Sequence, residues 1–252
     1  MSNAEDMPQL WVPGEPLVVP YEIPTPDVFR DRFAQGVWGG QVEMQSLPDG
    51  LSALRPVDQP PTAIAFLDMD DLVGNLGGSL RELCHSYDST KPELFTHDYG
   101  YQMFFDDKDI SIKHPLIRLM KNHEQPGAVG MRPAREIDDI TSMVRSWHSN
   151  GVYVVFVTSA IDGAELSHAD FAAKHFQGAC DGIVITTGHY QLTDKGKAAT
   201  EVVDFVQARP GTPVVHLDDI GSNTRKVRTA LEAHPANLRV ATFQHYFDHD
   251  SH

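Results

Sequence analysis

Short apolar runs alternate with amphipathic stretches from residue 62 to residue 243, and this alternation constrains the fold more than any other feature of the sequence. The runs are apolar on both faces, which is typical of strands that helices cover on both sides of a parallel sheet. Right-handed connections between such strands predict a doubly wound, Rossmann-like α/β sheet. The runs that predict strands are 62–68, 152–158, 182–186, 213–218 and 238–243.

Three of the stretches between these runs have helical periodicity. Apolar side chains recur at helical spacing in 133–151, 195–211 and 222–235. The first of these has a proline near its start and a glycine at its end, as helices often do. We expect each stretch to form a helix that follows or precedes a core strand.

Residues 1–60 lack this pattern because ten of the 17 prolines lie at or before residue 61. Proline at this density disfavours regular elements, so we predict a proline-rich N-terminal arm that wraps the core or trails from it. One short helix is expected from Pro26, since PDVFRDRFAQG opens with proline and closes with glycine.

Residues 74–132 also interrupt the alternation. This insertion is too long for an ordinary connection between a strand and a helix, and we expect a mainly helical cap that selects the substrate. A surface elaboration without a catalytic role is the alternative. The core would then comprise 61–73 and 133–245, and residues 246–252 would form a flexible tail.

The composition limits the partners and the compartment. A net charge of −15, from 20 basic and 35 acidic residues, disfavours binding to nucleic acid or to an anionic membrane. No apolar run approaches the roughly 18–20 residues of a membrane span. The N-terminus shows no charged-then-apolar leader, and the two cysteines form no disulfide framework. We therefore expect a soluble, cytoplasmic protein.

Polar residues gather where the predicted strands end, which is where ligands bind in open α/β sheets. A carboxylate there can attack phosphorus, and a second can transfer the proton. Acidic oxygens suit Mg²⁺, while an ammonium and a hydroxyl can neutralise and orient phosphoryl oxygens. The pattern therefore favours Mg²⁺-dependent phosphoryl transfer. The residues concerned are Asp68 and Asp70 after the first core strand, Thr158 and Ser159 at the second, Lys195 at a helix start, and Asp218 and Asp219 after the fourth.

Four of these segments resemble, in order, the motifs of the haloacid dehalogenase-like hydrolase superfamily. FLDMDDLV is similar to its first motif, an apolar strand followed by Asp-x-Asp, and VVFVTSA to its second, a strand that ends in Thr or Ser. TDKGKAA is similar to the third, a lysine that opens a helix, and VVHLDDIGSN to the fourth, a strand that ends in paired acids. The resemblance covers residues 62–243, and the insertion lies where the family carries a cap.

The resemblance implies a phosphatase that hydrolyses a phosphate monoester through an aspartyl-phosphate, acting on a small phosphorylated substrate or a phosphoprotein. It implies Asp68 as the nucleophile and Asp70 as the general acid and base. An acid at position 70 favours a phosphatase over a true dehalogenase. Thr158 would bind the phosphoryl oxygens, and Ser159 would either assist it or, as we expect, cap the next helix. Lys195 would stabilise the charge and bind the substrate, with Lys197 as the alternative.

The resemblance also implies a Mg²⁺ site. Its ligands would be Asp68, the backbone carbonyl of Asp70, and Asp218 or Asp219. Two other polar residues near these acids each have two possible roles. Asp71 is either a third ligand or, as we expect, an exposed turn residue. Asn223 either hydrogen-bonds the acids of the metal site or simply begins a helix.

One residue departs from the family pattern. Leu72 lies where the family usually has Thr or Val, which removes a small side chain but no charged group. This departure keeps open a catalytically silent binding protein as the alternative function. A phospho-acceptor receiver domain is disfavoured because its accepting Asp would stand alone on a middle strand.

Overall fold

Eight strands and five helices are defined in the part of the chain that the structure, a computed structural model, describes. The described residues are 21–40, 45, 47, 51–79, 117, 118, 121, 131–186 and 194–245. The strands are β1 (Leu51–Leu54), β2 (Ala63–Leu67), β3 (Gly74–Asn75), β4 (Arg132–Pro133), β5 (Val152–Ser159), β6 (Gly182–Thr186), β7 (Pro213–Asp218) and β8 (Arg239–Gln244). The helices are α1 (Pro26–Trp38), α2 (Ile137–Ser149), α3 (Glu165–Phe176), α4 (Lys195–Phe205) and α5 (Gly221–Glu232).

Six strands form one sheet in the order β1-β6-β5-β2-β7-β8. The pairs among β6, β5, β2, β7 and β8 are parallel, and β1 pairs antiparallel with β6 at the edge. All five predicted core strands are present within a residue or two of their predicted bounds. The prediction of a doubly wound, mostly parallel α/β sheet is therefore confirmed.

The strand order reverses at β2. From β2 the chain runs to β5 and β6 on one side of the sheet and returns to β7 and β8 on the other. The carboxyl ends of β2 and β7 flank this switch point, which is where open α/β sheets bind their ligands.

Helices cover both faces of the sheet, and β2 shows how the strand pattern allows this. Ala65 and Leu67 pack with the cluster that contains side chains of α1, α2 and α3, whereas Ile64 and Phe66 pack with side chains of α4 and α5. Successive side chains of a strand point to opposite faces, so a strand buried on both sides must be apolar throughout.

Part of the predicted arm packs against this core. The helix predicted from Pro26 is present, and the Thr25 side chain accepts a hydrogen bond from the backbone N–H of Val28 at its N-terminus. Near the protein surface, the Arg32 guanidinium makes two 2.7 Å hydrogen bonds to Asp170 of α3. Strand β1 extends the sheet at β6, a contribution that the proline content did not reveal.

The base of the insertion is closed by β3 and β4, which pair antiparallel. Most of the insertion, 80–116, 119–120 and 122–130, lies outside the described residues, as does the tail 246–252, so the cap and tail assignments stay predictions. Cys180 is buried with a free thiol, and Cys84 lies outside the described residues. Among the described helices, none has both the length and the apolar character that crossing a membrane requires.

Candidate active site

The switch point brings together acids from two strands that are far apart in sequence. Asp68 directly follows β2 and Asp218 is the last residue of β7. The strands are adjacent and parallel, and the backbone N–H of Asp68 donates to the carbonyl of Leu217 at 3.0 Å. This pairing places the two carboxylates at one edge of the sheet.

Lys195 lies between these two carboxylates. Its Nζ is 2.6 Å from Oδ2 of Asp68 and 2.7 Å from Oδ2 of Asp218, and all three side chains are buried. Burial lowers the pKa of the Lys195 ammonium, but the charges of Asp68 and Asp218 outweigh burial and raise it above its ordinary value. The lysine is therefore held in its charged form.

The start of α4 explains which of the two candidate lysines reaches the site. Asp194 caps the helix, and its Oδ1 accepts hydrogen bonds from the backbone N–H groups of Gly196 and Lys197. Lys195, the first helical residue, points into the carboxylates. The Lys197 side chain is 49% exposed, and its Nζ lies 3.6 Å from Glu201. The structure thus places Lys195, and not Lys197, among the predicted acids.

Three buried carboxylates form a group that could hold a metal ion. One oxygen each from Asp68, Asp218 and Asp219 lies within 4.8 Å of the others. The Oδ1 atom of Asp219 is buried and accepts no hydrogen bond from the described residues. Burial, and then the negative charges of Asp68 and Asp71, raise the pKa of Asp219 to about 9. A divalent cation bound by oxygen ligands would relieve this excess of negative charge.

Asp218 is held by hydrogen bonds to both of its carboxylate oxygens. Its Oδ1 accepts hydrogen bonds from the backbone N–H of Ile220 at 2.8 Å and from Nδ2 of Asn223 at 3.2 Å. Of the two roles that the sequence left open for Asn223, hydrogen bonding to the acid is the observed one. Burial alone raises the pKa of Asp218, but His216 and then Lys195 lower it to about 2.

Asp70 has two partners that the sequence analysis did not single out. Lys121 Nζ donates to Oδ1 of Asp70 at 2.7 Å and contacts Nε2 of His168 at 3.0 Å. Burial by itself raises the pKa of the Asp70 carboxyl, but the charge of Lys121 and its hydrogen bond lower it, and the pKa lies below its usual range. Lys121 lies in the insertion and His168 on α3, and neither belongs to a motif in the sequence.

Thr158 and Ser159 end β5, the parallel neighbour of β2, as predicted. Thr158 Oγ1 is buried and has no hydrogen-bond partner within the described ranges. Ser159 is exposed, and its Oγ lies 2.8 Å from Oγ1 of Thr186. The expectation that Ser159 caps the next helix is wrong, because α3 begins six residues later with Ala164 at its N-cap.

Asp71 and Leu72 are both part of the protein interior. The expectation that Asp71 is an exposed turn residue is wrong, since it is 3% exposed and accepts a 2.9 Å hydrogen bond from the N–H of Gly77. Its φ of 54° marks a sharp turn directly after Asp70. Leu72 is buried in the apolar cluster under the sheet, so this departure from the family pattern contributes to core packing.

Comparison with known proteins finds likenesses in structure only. No protein-family model matches the sequence, and no curated protein matches it significantly. Among solved structures, the HAD domain of effector protein Lem4 from Legionella pneumophila is 11% identical, with 75% of this chain and 88% of that chain covered and a TM-score of 0.39.

Two further solved structures are similarly distant. A haloacid dehalogenase-like family hydrolase from Xanthomonas campestris is 10% identical, with 78% and 87% of the two chains covered and a TM-score of 0.42. A HAD-superfamily hydrolase of subfamily IA from Geobacter sulfurreducens is 9% identical, with 75% and 95% covered and a TM-score of 0.43. Likenesses this distant do not establish an activity, so any functional assignment depends on the site itself.

Proposed function

We propose that the protein is a Mg²⁺-dependent phosphohydrolase that cleaves a phosphate monoester through an aspartyl-phosphate. The observation that carries the proposal is the buried Lys195 ammonium between Asp68 and Asp218, with the Asp219 carboxylate beside them. Burying several charges at one place costs free energy that an apolar core would not. A site that binds a cation and a phosphate accounts for that cost.

The donor set fits Mg²⁺. The carboxylates of Asp68, Asp218 and Asp219 would hold the ion together with the backbone carbonyl of Asp70, and hard oxygen ligands are those that Mg²⁺ prefers. Bound there, the ion would supply positive charge that offsets the charge on the phosphoryl oxygens.

Asp68 would act as the nucleophile. One of its oxygens would form a bond to phosphorus while the bond from phosphorus to the leaving oxygen breaks, and water would later hydrolyse the resulting acyl phosphate. Its Oδ1 accepts the N–H of Met69 at 2.8 Å and its Oδ2 contacts Lys195, so the carboxylate is held in one orientation. Fixed donors of this kind need no reorganisation during the reaction.

Asp70 would transfer the proton. It would give a proton to the leaving oxygen in the first step and take one from the attacking water in the second. The Thr158 hydroxyl, which no described residue hydrogen-bonds, would donate to a phosphoryl oxygen, with Ser159 at the exposed end of β5 as a second hydroxyl. The substrate would be a small phosphorylated molecule.

The test compares the wild-type protein with Asp68→Asn on p-nitrophenyl phosphate and on a panel of phosphorylated metabolites, with Mg²⁺ or with EDTA. We expect hydrolysis that requires Mg²⁺ and that falls by at least about 1,000-fold in Asp68→Asn, since the nucleophile is lost. Asp58→Asn, which changes an exposed carboxylate, is the matched control.

A second measurement addresses the intermediate. In Asp70→Asn, slower turnover should leave a phosphoryl group on Asp68 that mass spectrometry detects. Undiminished hydrolysis in Asp68→Asn would refute the nucleophile. A wild-type protein without hydrolysis of any ester would favour the catalytically silent binding protein instead.

A further inference from the structure

Lys121 is a buried cation that the insertion contributes to the candidate active site. It is 2% exposed, and its Nζ lies 2.7 Å from Oδ1 of Asp70. Three residues earlier, the Nε of Arg118 donates to the backbone carbonyl of Asp162 at 2.7 Å. Asp162 follows β5, so this part of the insertion contacts the core beside the end of that strand as well as at Asp70.

His168 holds the Lys121 ammonium from the other side. Nδ1 of His168 is 3.0 Å from the carbonyl oxygen of Ala164, which can only accept, so Nδ1 carries the hydrogen. Nε2 then presents a lone pair to Nζ of Lys121 at 3.0 Å. The ring is fully buried, and burial lowers the pKa of His168, which agrees with a neutral acceptor.

Lys121 and His168 both lie beside the same oxygen of Asp70, but only Lys121 donates to it. Oδ1 receives the hydrogen bond from Lys121 and lies 3.5 Å from Nε2 of His168. Oδ2 accepts no hydrogen bond from the described residues, and the side chain keeps 13% of its surface exposed. The carboxylate is therefore fixed through one oxygen, and the other oxygen has no hydrogen bond to a described residue.

We propose that Lys121 is a positioning residue for Asp70. It fixes Oδ1, with His168 as its support, so that Oδ2 exchanges the proton with the leaving group and with water. This inference rests on the proposed function, because it assigns the proton transfer to Asp70. It also makes the reaction dependent on a residue of the insertion, which would otherwise serve only to select the substrate.

The kinetic test uses Lys121→Met and Lys121→Arg in the wild-type and Asp70→Asn backgrounds, with p-nitrophenyl phosphate and Mg²⁺. We expect Lys121→Met to lower kcat at least about tenfold, with KM within about twofold, because the role assigned to Lys121 is to hold Asp70 rather than to bind the substrate. Lys121→Arg should recover part of kcat, and Lys121→Met should cause no further loss in Asp70→Asn. Lys197→Met is the matched control and should leave kcat within about twofold.

A second measurement does not depend on turnover. Brief acetylation of the folded protein, followed by mass spectrometry, should label Lys121 slowly in the wild type and several-fold faster in Asp70→Asn. Lys197 should be labelled equally in both proteins. Equal labelling of Lys121 in the two proteins would overturn the inference even if Lys121→Met fails to fold.

The outcomes separate the inference from the proposed function. Active wild-type protein with unchanged kcat in Lys121→Met would overturn the role of Lys121 alone, as would a loss of the same size in both backgrounds. A wild-type protein that hydrolyses no ester in the presence of Mg²⁺ would refute the proposed function and the role of Lys121 together.

Discussion

Asp219→Asn should stabilise the metal-free protein and weaken its response to Mg²⁺. Asp219 is 5% exposed, and its Oδ1 is among the buried atoms that no described residue hydrogen-bonds. Asp68 and Asp218 lie close to it, so without a cation its ionised form is unfavourable. Asparagine has nearly the same shape without the charge.

The size of the effect follows from the pKa of Asp219, which is raised from 3.8 to about 9. The folded protein keeps the proton where the unfolded chain has released it, so metal-free stability falls as pH rises from about 4 to about 9. At pH 7, which lies about 3 units above 3.8, keeping Asp219 protonated lowers the free energy of unfolding by at most about 4 kcal/mol, at roughly 1.4 kcal/mol per unit. Allowing for partial relaxation, we expect Asp219→Asn to gain about 1–3 kcal/mol, or roughly 2–12 °C in Tm for a chain of this size.

The assay is thermal unfolding in EDTA and in excess Mg²⁺, with Asp58→Asn as the exposed control. Mg²⁺ at 100 times its Kd stabilises a protein that binds it only when folded by about 2.7 kcal/mol. The wild type should show this gain, and Asp219→Asn should lose most of it, so Mg²⁺ should remove most or all of the Tm advantage that Asp219→Asn has in EDTA. An Asp219→Asn protein that is less stable in EDTA and responds fully to Mg²⁺ would refute the reasoning.

Two further predictions concern other ionic contacts. Lys195→Met leaves two buried carboxylates without their cation. We therefore expect the free energy of unfolding in urea to fall by about 3–5 kcal/mol and the rate of hydrolysis to fall at least about 100-fold. Lys197→Met should change the free energy of unfolding by less than about 0.5 kcal/mol. Equal effects of the two variants would contradict the placement of Lys195. Asp181 accepts hydrogen bonds from His148 and from the N–H of Val154, and the first of these raises the pKa of His148. That stabilisation is present below pH 6.5 and is lost as pH rises, so Asp181→Asn should cost more stability at pH 5.5 than at pH 8.5, and a cost independent of pH would contradict this.

The central core strands were predictable because they are apolar on both faces, a pattern that few other structures need, and β8 was predictable from its apolar run although it is largely exposed at the sheet edge. Helix α3 was not predicted: ELSHADFAAKHF mixes alanine, serine and histidine, and its buried side includes polar groups such as Glu165 and His168. Strand β1 was missed because proline dominates its neighbourhood. Its pairing depends on Gly182, where a side chain would lie 2.8 Å from the carbonyl of Ala53.

The acids of the site were predictable for a related reason. Burying charged residues directly after a strand costs free energy unless a cation or ligand binds them. Asp68, Asp70, Asp218 and Asp219 therefore stand out in the sequence. Asp71 stands out equally but was given the wrong environment. A turn at Asp71, with φ of 54°, directs its side chain inward to the N–H of Gly77. The amino-acid sequence gives no pattern from which this backbone conformation could be predicted.

The sequence by itself determined the sheet, the edge at which a ligand would bind and the acids that gather there, because apolar runs and charged residues at their ends can be located directly in the sequence. The tertiary structure alone decided which lysine lies between those acids, that Asp219 has no described hydrogen-bond partner for its buried Oδ1, and that Lys121, supported by His168, holds Asp70. The contacts of Lys121 with Asp70 and with His168, and of Lys195 with Asp68, join residues 47 or more positions apart. The choice of Lys195 over Lys197 depends on the direction in which helix α4 begins. Side-chain contacts at such separations depend on how the elements pack, which no local pattern encodes.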